Sequence, residues 1–103
     1  MTVAAAGPAD AVPAPVVLEP GDDAVELIRA LSGDSAVVVI RPGRDATALA
    51  LARAAVAALA LERAPMRINA VAPGATTDTA AIAGAVGYLA SAPAVTGQVI
   101  GLR

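Results

Sequence analysis

A continuous run of small and β-branched residues at positions 36–40 (AVVVI) most constrains the fold of this chain. Runs of this kind are typical of strands that are buried on both faces, as in parallel sheets. Neighbouring parallel strands need a long crossover connection, which is usually a helix. The run therefore predicts a parallel sheet that is covered by helices on both sides.

The rest of the chain alternates between strand and helix patterns around this run. Three further strands are predicted at Val16–Leu18, Arg67–Ala72 and 98–102. Helices are predicted over about 22–31, 45–63 and 77–91. The order β-α-β-α-β-α-β with short connections predicts an α/β fold with a four-stranded parallel sheet.

Capping and turn residues mark the ends of these helices. Asp, Asn, Ser and Thr side chains accept hydrogen bonds from the free amides of a first helical turn. The predicted N-caps are Asp22 or Asp23, then Asp45, then Thr77 or Asp78. Gly33 is predicted to be the C-cap residue of the first helix, and Pro65 to end the second helix.

The composition excludes several classes of function. All seven basic residues are arginine, the net charge is −2, and Phe and Trp are absent, so nucleic-acid binding has little support. The absence of cysteine excludes disulfides and thiol chemistry and fits a cytoplasmic location. Without His or Cys, only scattered carboxylates could bind a metal, and no metal site is predicted.

The N-terminal residues 1–15 are rich in Ala and Pro and are predicted to form a flexible tail before a domain at 16–103. They lack the charged start and the apolar core of a secretory signal. The longest apolar stretch, 46–61, is too short for a membrane span and carries Arg53 near its middle. No membrane association is expected.

The helix predicted at 45–63 is apolar on nearly all sides, with only Thr47 and Arg53 polar in its interior. A helix between a sheet and water should have a polar face. One interpretation is that alanine tolerates exposure in a helix. The other, which we favour, is burial on both sides, with a second subunit on the outer side. The predicted interface residues are Leu49, Arg53, Val56, Ala57 and Ala60.

The segment from Arg67 carries a recognisable motif. Arg67, Asn69, Val71, Pro73 and Gly74 form the pattern R-x-N-x-V-x-P-G, and L-A-S (89–91) and T-G-Q (96–98) follow it. This segment resembles the C-terminal part of the short-chain dehydrogenase/reductase family. The resemblance covers roughly 22–102 and implies a partial Rossmann-like, three-layer half-domain. It also implies an interface on the second helix and an exposed edge at the first strand.

The resemblance fails where the family has its catalytic residues. The family tyrosine falls at Asp45 and its lysine at Leu49, and the strand that normally ends in serine reaches Arg41 and Pro42. The chain has no lysine, and its one tyrosine is Tyr88. The Gly-rich phosphate turn of the first βαβ unit is also missing. No catalytic residue is therefore predicted.

A remnant of the cofactor site is implied at the turn after the third strand. The residues are Pro73, Gly74, Thr77 and Thr79, although the threonines have a simpler role in capping the next helix. No cofactor is expected for the chain alone, and NAD(P) only with a partner chain. Arg41 and Arg44 fall at the sheet edge where such folds bind ligands. An anion site at these two residues is therefore an alternative to simple solvation at the surface.

Three functions are compatible with this pattern. The favoured one is a pseudoenzyme that forms a homo-oligomer or supports a full-length reductase-like partner. The alternative is an NAD(P)-dependent oxidoreductase module whose cofactor and catalytic residues are completed by a partner. A third is an accessory subunit of a larger complex with no redox role.

Overall fold

The computed structural model describes residues 14–103, which form a parallel sheet with helices on both faces. The strands are β1 (Val16–Leu18), β2 (Ser35–Ile40), β3 (Arg67–Ala72) and β4 (Val99–Gly101). The helices are α1 (Ala24–Arg29), α2 (Ala46–Glu62) and α3 (Thr79–Ala90). The predicted order and the α/β class are confirmed. Apart from residues 14 and 15, the predicted flexible tail lies outside the described residues.

The strands lie in the order β1-β2-β3-β4, and each pairs in parallel with the next. Val38 in β2 is the register partner of both Val16 in β1 and Ala70 in β3. Since β2 and β3 are the inner strands, they are buried over most of their length. The β-branched run at 36–40 is therefore an inner parallel strand, as its composition predicts.

Alternate residues of the inner strands build two separate apolar layers. On one face, Val38 and Ile68 pack with α1 and α2 around residues such as Ile28 and Val56. On the other face, Val39 and Val71 pack with Val86 and Leu89 of α3. The result is the Rossmann-like three-layer arrangement, with α1 and α2 together on one face and α3 on the other.

Each helix begins at an aspartate whose carboxylate accepts a backbone amide three residues ahead. Asp23 accepts from Glu26 N at 3.0 Å, Asp45 from Ala48 N at 2.8 Å and Asp78 from Ala81 N at 2.7 Å. Of the predicted alternatives, the N-caps are therefore Asp23 rather than Asp22 and Asp78 rather than Thr77. The Asp22 carboxylate instead accepts from Glu19 N at 2.8 Å and closes the preceding turn. Thr77 is likewise not a cap.

The prediction that Gly33 is the C-cap residue of α1 is wrong. The helix ends at Arg29 with Ala30 as its C-cap residue, because the last turn tightens and Leu31 N donates to Ile28 O at 3.1 Å. Gly33 still adopts a left-handed φ of 99°, in the loop that leads to β2.

Candidate functional site

A groove of about 340 Å³ lies at the carboxyl edge of the sheet, between the loops that follow β2 and β3 and the end of β4. Its lining combines apolar and basic side chains: Ile40, Arg41, Pro42, Gly43, Arg44, Leu49, Arg53, Ala72, Pro73, Gly74, Gly101 and Leu102. Open parallel sheets bind ligands at this edge. The groove is therefore the candidate site of the molecule.

The groove contains no Tyr/Lys proton relay. Asp45, where the sequence predicts the position of the family tyrosine, uses its carboxylate to cap α2. Leu49, where the sequence predicts the position of the family lysine, is half-buried and contributes an apolar wall. Tyr88 lies on α3, in the opposite layer, and is 61% exposed. The described lining of the groove thus contains neither a tyrosine nor a lysine.

The Asp45 cap predicts a measurable loss of stability. Asp45→Ala should lower the free energy of unfolding by about 1 kcal/mol, because the Ala48 amide loses its acceptor. Urea denaturation measures this loss. Asp34→Ala is the matched control, since the Asp34 side chain is exposed and should cost less than about 0.5 kcal/mol. Equal losses in the two variants would contradict the capping role.

The structure brings together only part of the predicted cofactor segment. Pro73 and Gly74 line the groove. Thr77 lies behind them, where its hydroxyl oxygen accepts from Gly74 N at 2.9 Å. Thr79 lies elsewhere, in the first turn of α3, and lines an apolar cavity beside Pro15. Among the four residues, Thr77 shapes the turn and Thr79 does not line the groove.

Asn69, the Asn of the R-x-N-x-V-x-P-G motif, joins β3 to the loop before β4. Its side chain is only 1% exposed. The Asn69 amide nitrogen donates to Val95 O, and its amide oxygen accepts from Gln98 N, both at 3.0 Å. Arg67 makes a similar connection through its guanidinium, which donates to Ala92 O at 2.8 Å. Both motif residues thus hold the strand ends in place.

Three arginines line the groove and give it a positive charge. One Arg44 nitrogen, Nη2, donates to Glu19 O at 2.9 Å and to Asp22 O at 2.7 Å, which fixes the side chain. The Arg44 Nε is buried and has no partner in the described part of the chain. Arg53, which the sequence predicts at an interface, lines the groove together with Arg41 and Arg44. Its position one helical turn after Leu49 is the signal that could have located it.

The outer side of α2 faces solvent together with part of α1. Leu51 and Leu61 are 66% and 82% exposed, and Val25 of α1 is also exposed. A largely apolar cavity of about 470 Å³ runs between the two helices beside Leu51 and Val25. Within the described chain, α2 is thus covered on one side only.

The predicted interface set needs a correction in the light of this geometry. Val56 and Ala60 belong to the chain's own core, because they point towards the sheet and are almost completely buried. Leu49 is half-buried, while Arg53 and Ala57 are exposed. The outward face of α2 instead presents Leu51 and Leu61.

Two further kinds of site find no support between residues 14 and 103. No group of three or more His, Cys, Asp or Glu side chains in this range is arranged to hold a metal ion. No helix there has both the length and the apolar character needed to cross a bilayer.

Comparison with known protein families gives a match over nearly all of the chain. The family model described as "Short chain dehydrogenase-like protein" matches residues 4–102. No curated protein matches the chain, and no solved structure does. The match spans nearly the whole sequence, and the chain therefore belongs to the short-chain dehydrogenase-like family.

Proposed function

We propose that this chain is a non-catalytic member of its family, a pseudoenzyme that acts through association with a second copy of itself. A cytoplasmic location fits the absence of cysteine. The observation that carries the proposal is the contrast between the start of α2 and its outer side. Its start has Asp45 and Leu49 in place of the proton relay, while its outer side presents large apolar residues.

The loss of catalysis follows from the chemistry of the groove. A reductase of this family needs a phenol and a lysine side by side to move a proton and to hold the ribose. The Asp45 carboxylate is already committed to the Ala48 amide, and a leucine cannot replace an ammonium group. No other described residue of the groove supplies a phenol, thiol or imidazole.

The case for self-association rests on the outer surface of α1 and α2. Exposed leucines on an Ala-rich helix lose contact with water when a second copy covers them. Small residues around them, such as Ala54 and Ala58, let two helix backbones approach closely. In the family that the sequence resembles, the equivalent helix forms the subunit interface.

One charge on this surface should separate the subunits. Leu51→Glu should weaken self-association by about a hundredfold or more, because a carboxylate would be desolvated in the interface. Sedimentation equilibrium over a range of concentrations measures the constant. Ala83→Glu adds the same charge to an exposed position on α3 and should leave association unchanged. A wild-type protein that stays monomeric at micromolar concentration would overturn the proposal.

The second candidate function is a cofactor-binding module that a reductase-like partner completes. The Pro73–Gly74 turn favours it, since this turn lines the groove at the edge where the family binds nicotinamide. Calorimetric titration with NADH and NADPH, with the chain alone and with a full-length reductase from the same cell, decides between the two. Heat that appears only in the mixture and exceeds that of the reductase alone supports the module. If no combination of chain, reductase and cofactor releases such heat, the cofactor-binding module is excluded.

A further inference from the structure

We infer that the carboxyl-edge groove binds a monophosphate group through Arg41, Arg44 and Arg53. These three residues line one cavity, and no carboxylate side chain lines it with them. The nearest acid in the sequence, Asp45, is turned towards the amide of Ala48. In an acidic protein of net charge −2, three of the seven basic residues thus line one groove that has no Asp or Glu side chain in its lining.

Arg44 is held in position before any ligand arrives. Its two hydrogen bonds to Glu19 O and Asp22 O fix the guanidinium against the β1–α1 loop. Both acceptors are neutral carbonyls, and among the described residues no carboxylate lies within ion-pair distance of Arg44, although Asp22 and Asp23 line a neighbouring cavity with it. Nε is shut off from solvent without an acceptor. A cation that is immobilised in this way loses little conformational freedom when it binds an oxyanion.

Arg53 approaches the same groove from α2. Its Nη1 atom lies 3.8 Å from the position that a Cβ on Gly101 would occupy, so the guanidinium lies over the end of β4. Arg41 and Arg44 follow β2. The cations therefore flank the groove from two sides, and an anion between them would meet donors from both.

The chemistry of the lining favours phosphate over a single carboxylate. Several cations attract a group that can carry two negative charges, and the planar fork of arginine matches phosphate oxygens. Leu49, Pro73 and Leu102 form apolar walls that strengthen these attractions by excluding water. A volume of about 340 Å³ is within the range of small-molecule sites.

Titration of the full chain with inorganic phosphate, followed by ¹⁵N–¹H NMR, tests the inference. The amides of Gly43, Gly74 and Gly101 and the Arg44 Nε–H should shift in a saturable way. Arg53→Gln and Arg41→Gln should each weaken binding about tenfold, which equals the loss of one charge-assisted hydrogen bond. Arg29→Gln is the matched control, since it removes the same charge from an exposed ion pair with Glu62 outside the groove.

The outcomes separate this inference from the proposed association. The same titration of the Leu51→Glu variant should give the same affinity, because the groove lies within one chain. A parallel titration with glycerol 3-phosphate identifies an ester as the better ligand if it binds more tightly than inorganic phosphate. The inference would be overturned if phosphate gave no saturable shifts up to high millimolar concentration. It would also be overturned if Arg29→Gln lost as much phosphate affinity as the groove variants, or if citrate bound and phosphate did not.

Discussion

Ile68→Ala should cost this protein about 3–4 kcal/mol of unfolding free energy, the largest effect that we expect from a single substitution. Ile68 is fully buried in β3, an inner strand, and it packs in the layer formed by α1 and α2. Truncation removes apolar atoms from this layer and leaves a cavity that neighbouring β-branched side chains cannot readily fill. Urea denaturation followed by circular dichroism measures the loss.

The size of the truncation should determine the size of the loss. Ile68→Val removes a single methyl group and should cost only about 0.5–1.5 kcal/mol. Val17→Ala, in the exposed part of the edge strand β1, is the control for a change of strand propensity without a core cavity. It should cost well under half as much as Ile68→Ala. Similar losses at Val17 and Ile68 would show that the α1–α2 layer is not the main core.

Asn69→Leu should lower the unfolding free energy by about 2–4 kcal/mol, although leucine is apolar and similar in size. The substitution leaves Val95 O and Gln98 N without the partners that Asn69 provides. Each buried polar group that loses its hydrogen bond costs about 1–3 kcal/mol. Gln98→Leu is the matched control, because only its backbone amide takes part in the contact and the residue is exposed.

The Asn69 variant should also affect the groove. Asn69 fixes the loop that leads into β4, and the end of that strand supplies Gly101 and Leu102 to the lining. Asn69→Leu should therefore weaken phosphate binding even under conditions where the variant is fully folded. Unchanged stability and unchanged binding in this variant would show that the R-x-N motif has no structural role here.

The fold could be predicted from the sequence because its local signals agree with one another. The β-branched run, the three aspartate caps and the Pro-Gly turn after β3 each indicate the same order of elements. The end of α1 could not be predicted, since it depends on a tightened last turn rather than on Gly33.

The candidate site was predictable only in outline. The sequence places Arg41 and Arg44 at the edge of the sheet, and the structure confirms that they line the groove. The sides of α2 could not be distinguished, because its pattern is apolar all round and gives no direction to the sheet. For this reason Val56 and Ala60 are predicted at an interface and instead lie in the core. The groove position of Arg53 can be predicted only from its spacing to Leu49, one helical turn before it.

The order of the strands in space is the same as their order along the chain. Among the described residues, each strand after β1 therefore pairs with the strand made just before it. During synthesis on the ribosome, the sheet can grow by one βαβ unit at a time as the polypeptide emerges. Assembly of this domain should then keep pace with translation rather than begin at its end.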